Sequence, residues 1–382
     1  MTTATLSAPA ARAGASIDVL FLGLAILATA AITALVLLDG QMASAALVIG
    51  GFGLGIAFWK AEFSYTASFR RFLNSGEAGG LIGGLIVIAV AALAVVPVAA
   101  LYPNYGGAIA PLGPSLIIGA FVFGIGMQLG NGCGSGTLYT VGGGSGRMLV
   151  TLAFFIAGSV FGSLSLPPFL AMGGIDPVLA SDYLGPWGGL VATLVSIAIG
   201  IAIFITIARK RGANWKPSRS YIVGGLAIGL LCVFVFAAGG HPWSVTFGYT
   251  VWGAKIATAL GFDLSNAAFW QWPGPKQALT NSVLSDTSSL TDFGVIFGAM
   301  AAAAATKPFA SASWPPVKSL LAGAVGGLLM GWGARLGFGC NIGAFVGGIA
   351  SGSVHGWVWF LACLPGCWIG IRLRPLFGMS KD

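Results

Sequence analysis

Residues 129–136 read LGNGCGSG and residues 336–343 read LGFGCNIG, each a cysteine cradled by glycines inside an apolar run. The two stretches register at an offset of 207 residues. Cys133 meets Cys340, Leu129 meets Leu336, and Gly124, Gly126, Gly130, Gly132 and Gly136 meet Gly331, Gly333, Gly337, Gly339 and Gly343. Five registered glycines around a cysteine mark a duplication rather than chance matching in a glycine-rich chain. Glycine at this density breaks a helix. Within a bilayer, broken backbone is tolerated only where it lines a cavity or is buried in protein. Both cysteines are therefore predicted to line a path through a membrane bundle.

The rest of the composition agrees. Of 382 residues only 7% are charged, against roughly 25% in soluble domains, while 57% are hydrophobic and the mean hydropathy is +0.92. The fold class that follows is an all-α polytopic membrane protein. Apolar segments of spanning length fall near residues 17–38, 42–59, 79–101, 147–168, 187–208, 219–238, 291–308 and 354–372, and two more, 115–146 and 318–352, are interrupted around the cysteines. The segment 17–38 is too long for a signal-peptide core and is read as the first transmembrane helix. An odd count of five cysteines inside such segments is no disulfide framework.

The net charge of +8 sits in short loops between spans, where it encodes orientation and points to no nucleic-acid partner. RKRGANWKPSR at 209–219 is the strongest cytoplasmic signal. Working outward from it, Arg147, Lys307, Arg372 and Arg374 also fall inside, both termini are cytoplasmic, and of the 18 Lys and Arg residues only Lys255, Lys276 and Arg335 fall elsewhere. Segment 115–146 then crosses inward and 318–352 outward, so the halves form an inverted repeat with two broken, glycine-interrupted helices. Such repeats place their substrate site near the midplane. The expected organisation is a disordered cytoplasmic tail at 1–16, a first half at 17–210 with the first repeat at about 42–168, a second repeat at 211–372, and a cytoplasmic tail at 373–382.

A thiol is a soft, weak donor. It can touch an anion without trapping it, and transport requires binding weak enough to release. The candidate path residues are Cys340 and Cys133 with Gly132, Gly339, Asn131 and Asn341. Cys232, Cys363 and Cys367 read as helix-packing residues. Arg335, whose repeat partner is Gln128, is an intramembrane cation; steering of an anion and snorkelling to the interface both fit it. His241 and His355 read as interface residues without metal-ligand spacing. No P-loop, nucleophile elbow or HExxH occurs, so the chain reads as no enzyme, without cofactor or metal. No buried Asp or Glu relay stands out in the spans, which gives proton coupling little support.

The cysteine stretches, GGFGLGIAFWKAEFSYTASFRRFL at 50–73 and HPWSVTFGYTVWGAKI at 241–256 resemble the YeeE/YedE sulfur-transport family, in order, over roughly residues 42–372. The resemblance implies uptake of thiosulfate across a bacterial inner membrane by an hourglass-like helical protein with pseudo-twofold symmetry and short helices that do not span. It implies a relay of cysteines touching the anion through S–H···S contacts. Its outer position falls on Cys340 and its central one on Cys133. Its inner cysteine falls on Ser64, so the chain departs from the pattern there. The basic rim of Lys60, Arg70 and Arg71 either sets topology or meets the outgoing anion or a soluble sulfur-carrier protein; membrane lipid is the remaining partner. A membrane thiol oxidoreductase or sulfurtransferase, and a transporter of a selenium compound or small solute, are the competing readings.

Overall fold

The computed structural model describes residues 17–306 and 315–381; the expected N-terminal tail and Lys307 lie outside the described residues. Among the described residues the regular elements are helices, and ten segments are long and apolar enough to cross a membrane. The helices are α1 (Val19–Leu38), α2 (Met42–Ala61), α3 (Tyr65–Ser75), α4 (Gly79–Leu101), α5 (Pro114–Gly130), α6 (Gly134–Gly142), α7 (Gly146–Leu170) and α8 (Ala180–Lys210). They continue with α9 (Arg219–Gly239), α10 (Val245–Ala259), α11 (Ala268–Gln271), α12 (Pro273–Thr280), α13 (Thr287–Ala304), α14 (Val317–Leu336), α15 (Gly347–Ala350) and α16 (His355–Leu373). Both glycine–cysteine stretches are breaks. The first separates α5 from α6, and the second separates α14 from a π-turn at Asn341–Val346 that leads into α15.

Lipid supplies no hydrophobic drive between helices, so close van der Waals contact through small residues holds the bundle. One close crossing is α5 on α14. A Cβ at Gly119 would sit 2.2 Å from the amide nitrogen of Gly337, and one at Gly326 would sit 2.2 Å from that of Gly130. These pairings make α5 and α14 antiparallel. α2 and α9 are antiparallel too, with Gly53 on Leu231 and Gly224 on Ala61. α7 packs on α14 as α16 packs on α5, and α13 packs on α2 as α4 packs on α9. Exchanging α2, α4, α5 and α7 for α9, α13, α14 and α16 therefore maps the last four contacts onto one another and the two antiparallel pairs onto themselves. Around this core, α1 and α8 turn rows of exposed apolar side chains, such as Leu20, Leu27, Val191 and Ile199, toward lipid.

The structure departs from the sequence reading in four places. α8 starts at Ala180, ahead of the expected 187, because a left-handed Gly185 (φ 70°) lets the helix kink before Pro186 and resume. Residues 245–259, outside every span read from the sequence, form α10, whose Tyr249 and Thr250 are fully buried. His355 is not at an interface: it is buried, 2.8 Å from Ser353 Oγ. The end of the chain folds back, with Met379 Sδ 3.2 Å from Arg147 and the Lys381 carbonyl accepting from Asn74 at 2.6 Å.

Candidate functional site

The breaks share one backbone solution. Asn131 and Phe338, at equivalent positions, are both left-handed, with φ of 62° and 59°. Cys133 follows at φ −90° and ψ −168°, and Cys340 at φ −96° and ψ −164°. Each cysteine is thereby the cap of the helical turn after it, with its side chain at the turn's amino end. Both are buried, and all five cysteines are free thiols.

The breaks also meet. A Cβ added at Gly134 would lie 2.8 Å from Cys340 Sγ, so the second thiol rests on the residue that follows the first. Tyr249 Oη donates to the Gly134 carbonyl at 2.8 Å and braces the contact from α10. Glycine is required at 134 because any side chain would displace the thiol.

Next in the chain to Cys340, both amide atoms of Asn341 are buried without hydrogen-bond partners, as are Tyr65 Oη, within electrostatic reach of both cysteines, and Thr66 Oγ1 and Thr246 Oγ1 near the heads of α3 and α10. Buried polar groups are normally satisfied, and leaving one bare costs about 1–3 kcal/mol. Idle donors within reach of two thiols are what a site for a small polar guest provides. Thr66 and Thr246 are equivalents, since Phe63-Ser64-Tyr65-Thr66 at the head of α3 matches Trp243-Ser244-Val245-Thr246 at the head of α10. That repeat, at an offset of 180, was readable in the sequence and would have found them. Ser64 is half-buried at the head of α3, its oxygen accepting from the Ala67 amide at 3.2 Å. Gly132 packs against Thr137 and Met148, and Gly339 takes φ 147°, where a Cβ would strike Ala344 N at 2.6 Å.

The two ends of the bundle differ. At one end an open cavity of about 430 Å³ is lined by Leu47, His241, Trp243, Ser244, Asp286 and Thr291, among others. Arg335 lies below it, between Phe247 and Phe269 with its guanidinium carbon 5.7 and 5.5 Å from the ring centres, and donates to Thr250 Oγ1 at 3.4 Å. It neither snorkels out nor lines that cavity, and its Nε has no partner.

At the opposite end, where α5 finishes, three arginines gather. Arg70 donates to Gln128 Oε1 and Asn131 Oδ1, both at 3.3 Å. Arg374 donates to the Gln128 carbonyl at 2.8 Å and to Asn131 Oδ1 at 3.1 Å, and Arg147 donates to the Leu129 carbonyl at 2.7 Å. Cations suit the carbonyl end of a helix. The equivalents of Arg335 and Thr250 here are Gln128 and Arg70, so the arginine of this helix pair has changed helix between the halves.

Trp243 and Tyr139 stand on either side of Phe58, at ring separations of 6.3 and 5.7 Å. These rings part the Trp243 cavity from a second cavity of about 540 Å³ lined by Trp59, Lys60, Glu62 and Tyr139.

Sequence reading missed one further feature. Asp292 in α13 is completely buried, Trp243 Nε1 donates to its Oδ1 at 2.9 Å, and its Oδ2 has no partner. The expectation that no carboxylate stands out in the spans is corrected here. The residue sits at the very start of the apolar window at 291, where a carboxylate reads as a flank, and only packing shows it inside. Cys232 borders a small void of about 20 Å³ with Trp243 and Ile342, and Cys363 and Cys367 sit 3.7 Å apart in α16, Cys363 against Gly124.

A family described as Sulphur transport matches residues 60–369. A probable transporter, YedE, of Salmonella typhimurium is 34% identical over 167 residues, 43% of this chain and 39% of that protein. The thiosulfate transporter TsuA of Spirochaeta thermophila is 30% identical over 280 residues, 66% of this chain and 75% of that protein. Its namesake in Escherichia coli is 24% identical over 357 residues, 86% and 94% of the two chains. The match with YedE thus spans about two fifths of that relative's length.

Proposed function

The chain belongs to the sulphur transport family, and from that premise we propose that it carries thiosulfate, or a closely related sulfur oxyanion, across a bacterial inner membrane along Cys340 and Cys133. The observation that carries this reading is Cys340 Sγ resting on Gly134, the residue after Cys133, with the unpartnered amide of Asn341 next in the chain and the unpartnered Tyr65 hydroxyl within electrostatic reach of both cysteines. Thiosulfate is a dianion with a soft terminal sulfur and three hard oxygens. A thiol matches the sulfur, and amide and hydroxyl donors match the oxygens. None of these groups carries a charge, so the anion is held loosely enough to leave. The substrate named for two relatives, thiosulfate, agrees with this chemistry.

In this reading the halves are an inverted repeat, supported by the antiparallel run of α5 against α14 and of α2 against α9. The Trp243 cavity faces outward and the arginine cluster faces the cytoplasm, as the charge of the 209–219 loop requires. Arg335 raises the positive potential under the entrance. Cys340 receives the anion, Cys133 follows, and Ser64 takes the inner step with a hydroxyl. The surface bearing Lys60, Arg71 and the 209–219 loop is the one offered to a soluble sulfur carrier.

Uptake of sulfur-labelled thiosulfate into proteoliposomes, wild type beside Cys340→Ala, tests the reading. Uptake by the wild type that is lost in the variant is expected. Undiminished uptake by the variant overturns the cysteine path, and a well-folded wild type that moves no label overturns the transport reading.

A further inference from the structure

Every negative charge carried inward against a typical resting potential costs on the order of 50-fold in accumulation. A bare dianion bears that cost twice. A carrier that concentrates it inside must send positive charge along, and one buried acid in the fold is placed to hold it.

Asp292 is the only carboxylate-bearing residue among the buried polar residues of the described chain. Intramembrane acids of this kind mark ion or proton pathways. Among the described residues, no cation contacts it. Trp243 Nε1 satisfies Oδ1 at 2.9 Å, and Oδ2 lies bare against Gly248, where a Cβ would come within 2.7 Å of it. The titratable groups within its electrostatic reach are Asp286 at the head of its own helix, Tyr249 from α10 and Cys340 at the second break. From the other elements packed on α13, Val48, Gly51 and Phe52 of α2 meet this stretch, Gly142 of α6 meets it further on at Ile296, and α1 closes near Ala304 through the Asp18 amide. None of those contacts brings a positive charge to the carboxylate.

A route from water exists on the same helix. Asp286, Thr287, Ser288 and Thr291 all line the open Trp243 cavity, and Thr291 is next to Asp292 in sequence. Trp243 itself lines that cavity while its indole N–H rests on Asp292. Asp286 stands at the mouth of this cavity. Burial pushes its carboxyl up, and the hydroxyl and amide of Ser289, at 2.6 and 2.7 Å, hold part of that rise back.

Resting on the transport reading above, we infer that Asp292 is a proton-binding site that loads together with the anion, so that the chain moves a sulfur oxyanion and a proton in the same direction. A dianion at Cys340 stands within electrostatic reach of Asp292, and like charges oppose a second ionised group there. Its arrival favours an O–H bond at Oδ2, formed with a proton from the outer water by way of Asp286. When the anion leaves toward the cytoplasm, that O–H bond breaks and the proton passes to the inner water. The two ligands are linked, and each raises the affinity for the other by the same factor. Net charge per cycle falls from two to one, and each pH unit of acid-outside gradient adds tenfold to accumulation.

The test uses proteoliposomes holding the full chain, with the membrane potential clamped at zero and the outside made more acid by one and then two pH units. Wild type is expected to accumulate labelled thiosulfate about tenfold per unit, and Asp292→Asn is expected to lose gradient-driven accumulation, its exchange of label no longer varying with pH. Trp243→Phe removes the donor to Oδ1 but keeps the acid, so its external pH of half-maximal uptake should move upward. Gradient-driven accumulation by Asp292→Asn at the wild-type level overturns the inference, as does wild-type uptake indifferent to the pH gradient or a half-maximal pH unmoved in Trp243→Phe. A wild type that exchanges no label under any gradient instead sinks the transport reading on which the inference rests.

Discussion

The two breaks begin alike and end differently. After Cys133 the chain is fully engaged: Cys133 Sγ accepts the Gly136 amide at 3.4 Å and lies 3.5 Å from Ser135 Oγ, and Thr137 Oγ1 donates to the Cys133 carbonyl at 2.8 Å. Ahead of it, Asn131 takes the left-handed region that asparagine tolerates, and two arginines hold its side chain. After Cys340 the thiol caps no amide, the turn is a π-turn, and Asn341 is buried with both polar atoms bare. Ahead of it a phenylalanine occupies the left-handed region, at a cost of order 1–3 kcal/mol. One break is thus finished as structure, and the other keeps its strain and its unmet hydrogen bonds.

The strongest blow to this contrast is Gly134→Val, which drives a side chain into Cys340 Sγ and parts the two breaks. Uptake of labelled thiosulfate by this variant should fall by at least ~100-fold, the scale of a lost positioning contact about 1 Å across. Wild-type uptake would show that the thiols need not meet. Asn341→Leu comes next and is the sharper probe. It replaces idle polar atoms with an apolar side chain of similar size, so thermal unfolding in detergent should shift upward, by about 1–3 kcal/mol of stability. Uptake should meanwhile fall roughly tenfold or more, equivalent to ~1.4 kcal/mol of lost anion contact. Lower stability with full uptake would assign Asn341 to packing.

Arg374→Gln attacks the finished repeat. It strips donors from the Gln128 carbonyl and Asn131, and the unfolding free energy should drop by about 1–3 kcal/mol. Stability equal to wild type would mean the arginine cluster does not secure the first break. Ser64→Cys restores the thiol that the family resemblance places at this station. Since a thiol at Cys133 already caps an amide in the same way, the change in stability should stay below about 1 kcal/mol, and uptake within a few-fold of wild type. Abolished uptake would show that the inner step depends on the harder hydroxyl.

Most of the architecture was legible before any coordinates, for a local reason. A bilayer demands about 20 apolar residues per span, so span positions are written in short windows, and eight continuous segments appear near their expected places. The breaks were legible because glycine acts on its own stretch of backbone. The candidate path residues divide along the same line. Cys133, Cys340 and Asn341 stand out in the sequence because they sit in the repeated motif. Asp292, Tyr65 and Tyr249 do not, because each comes from a different helix and has no motif of its own. Arg335 was recognised as unusual, yet neither fate weighed for it includes the clasp between Phe247 and Phe269, two residues from distant segments.

The sequence by itself therefore determined the class of protein, its spans and its two breaks. These follow from hydropathy, glycine spacing and charge, which act over a few residues at a time. Only the tertiary structure decided that the breaks touch at Gly134, that an acid lies buried beside an indole at one end of the bundle, and that three arginines collect at the other. Those arrangements depend on helix faces whose bonded residues lie as many as 246 positions apart in the chain, and a linear pattern carries no record of which faces will meet.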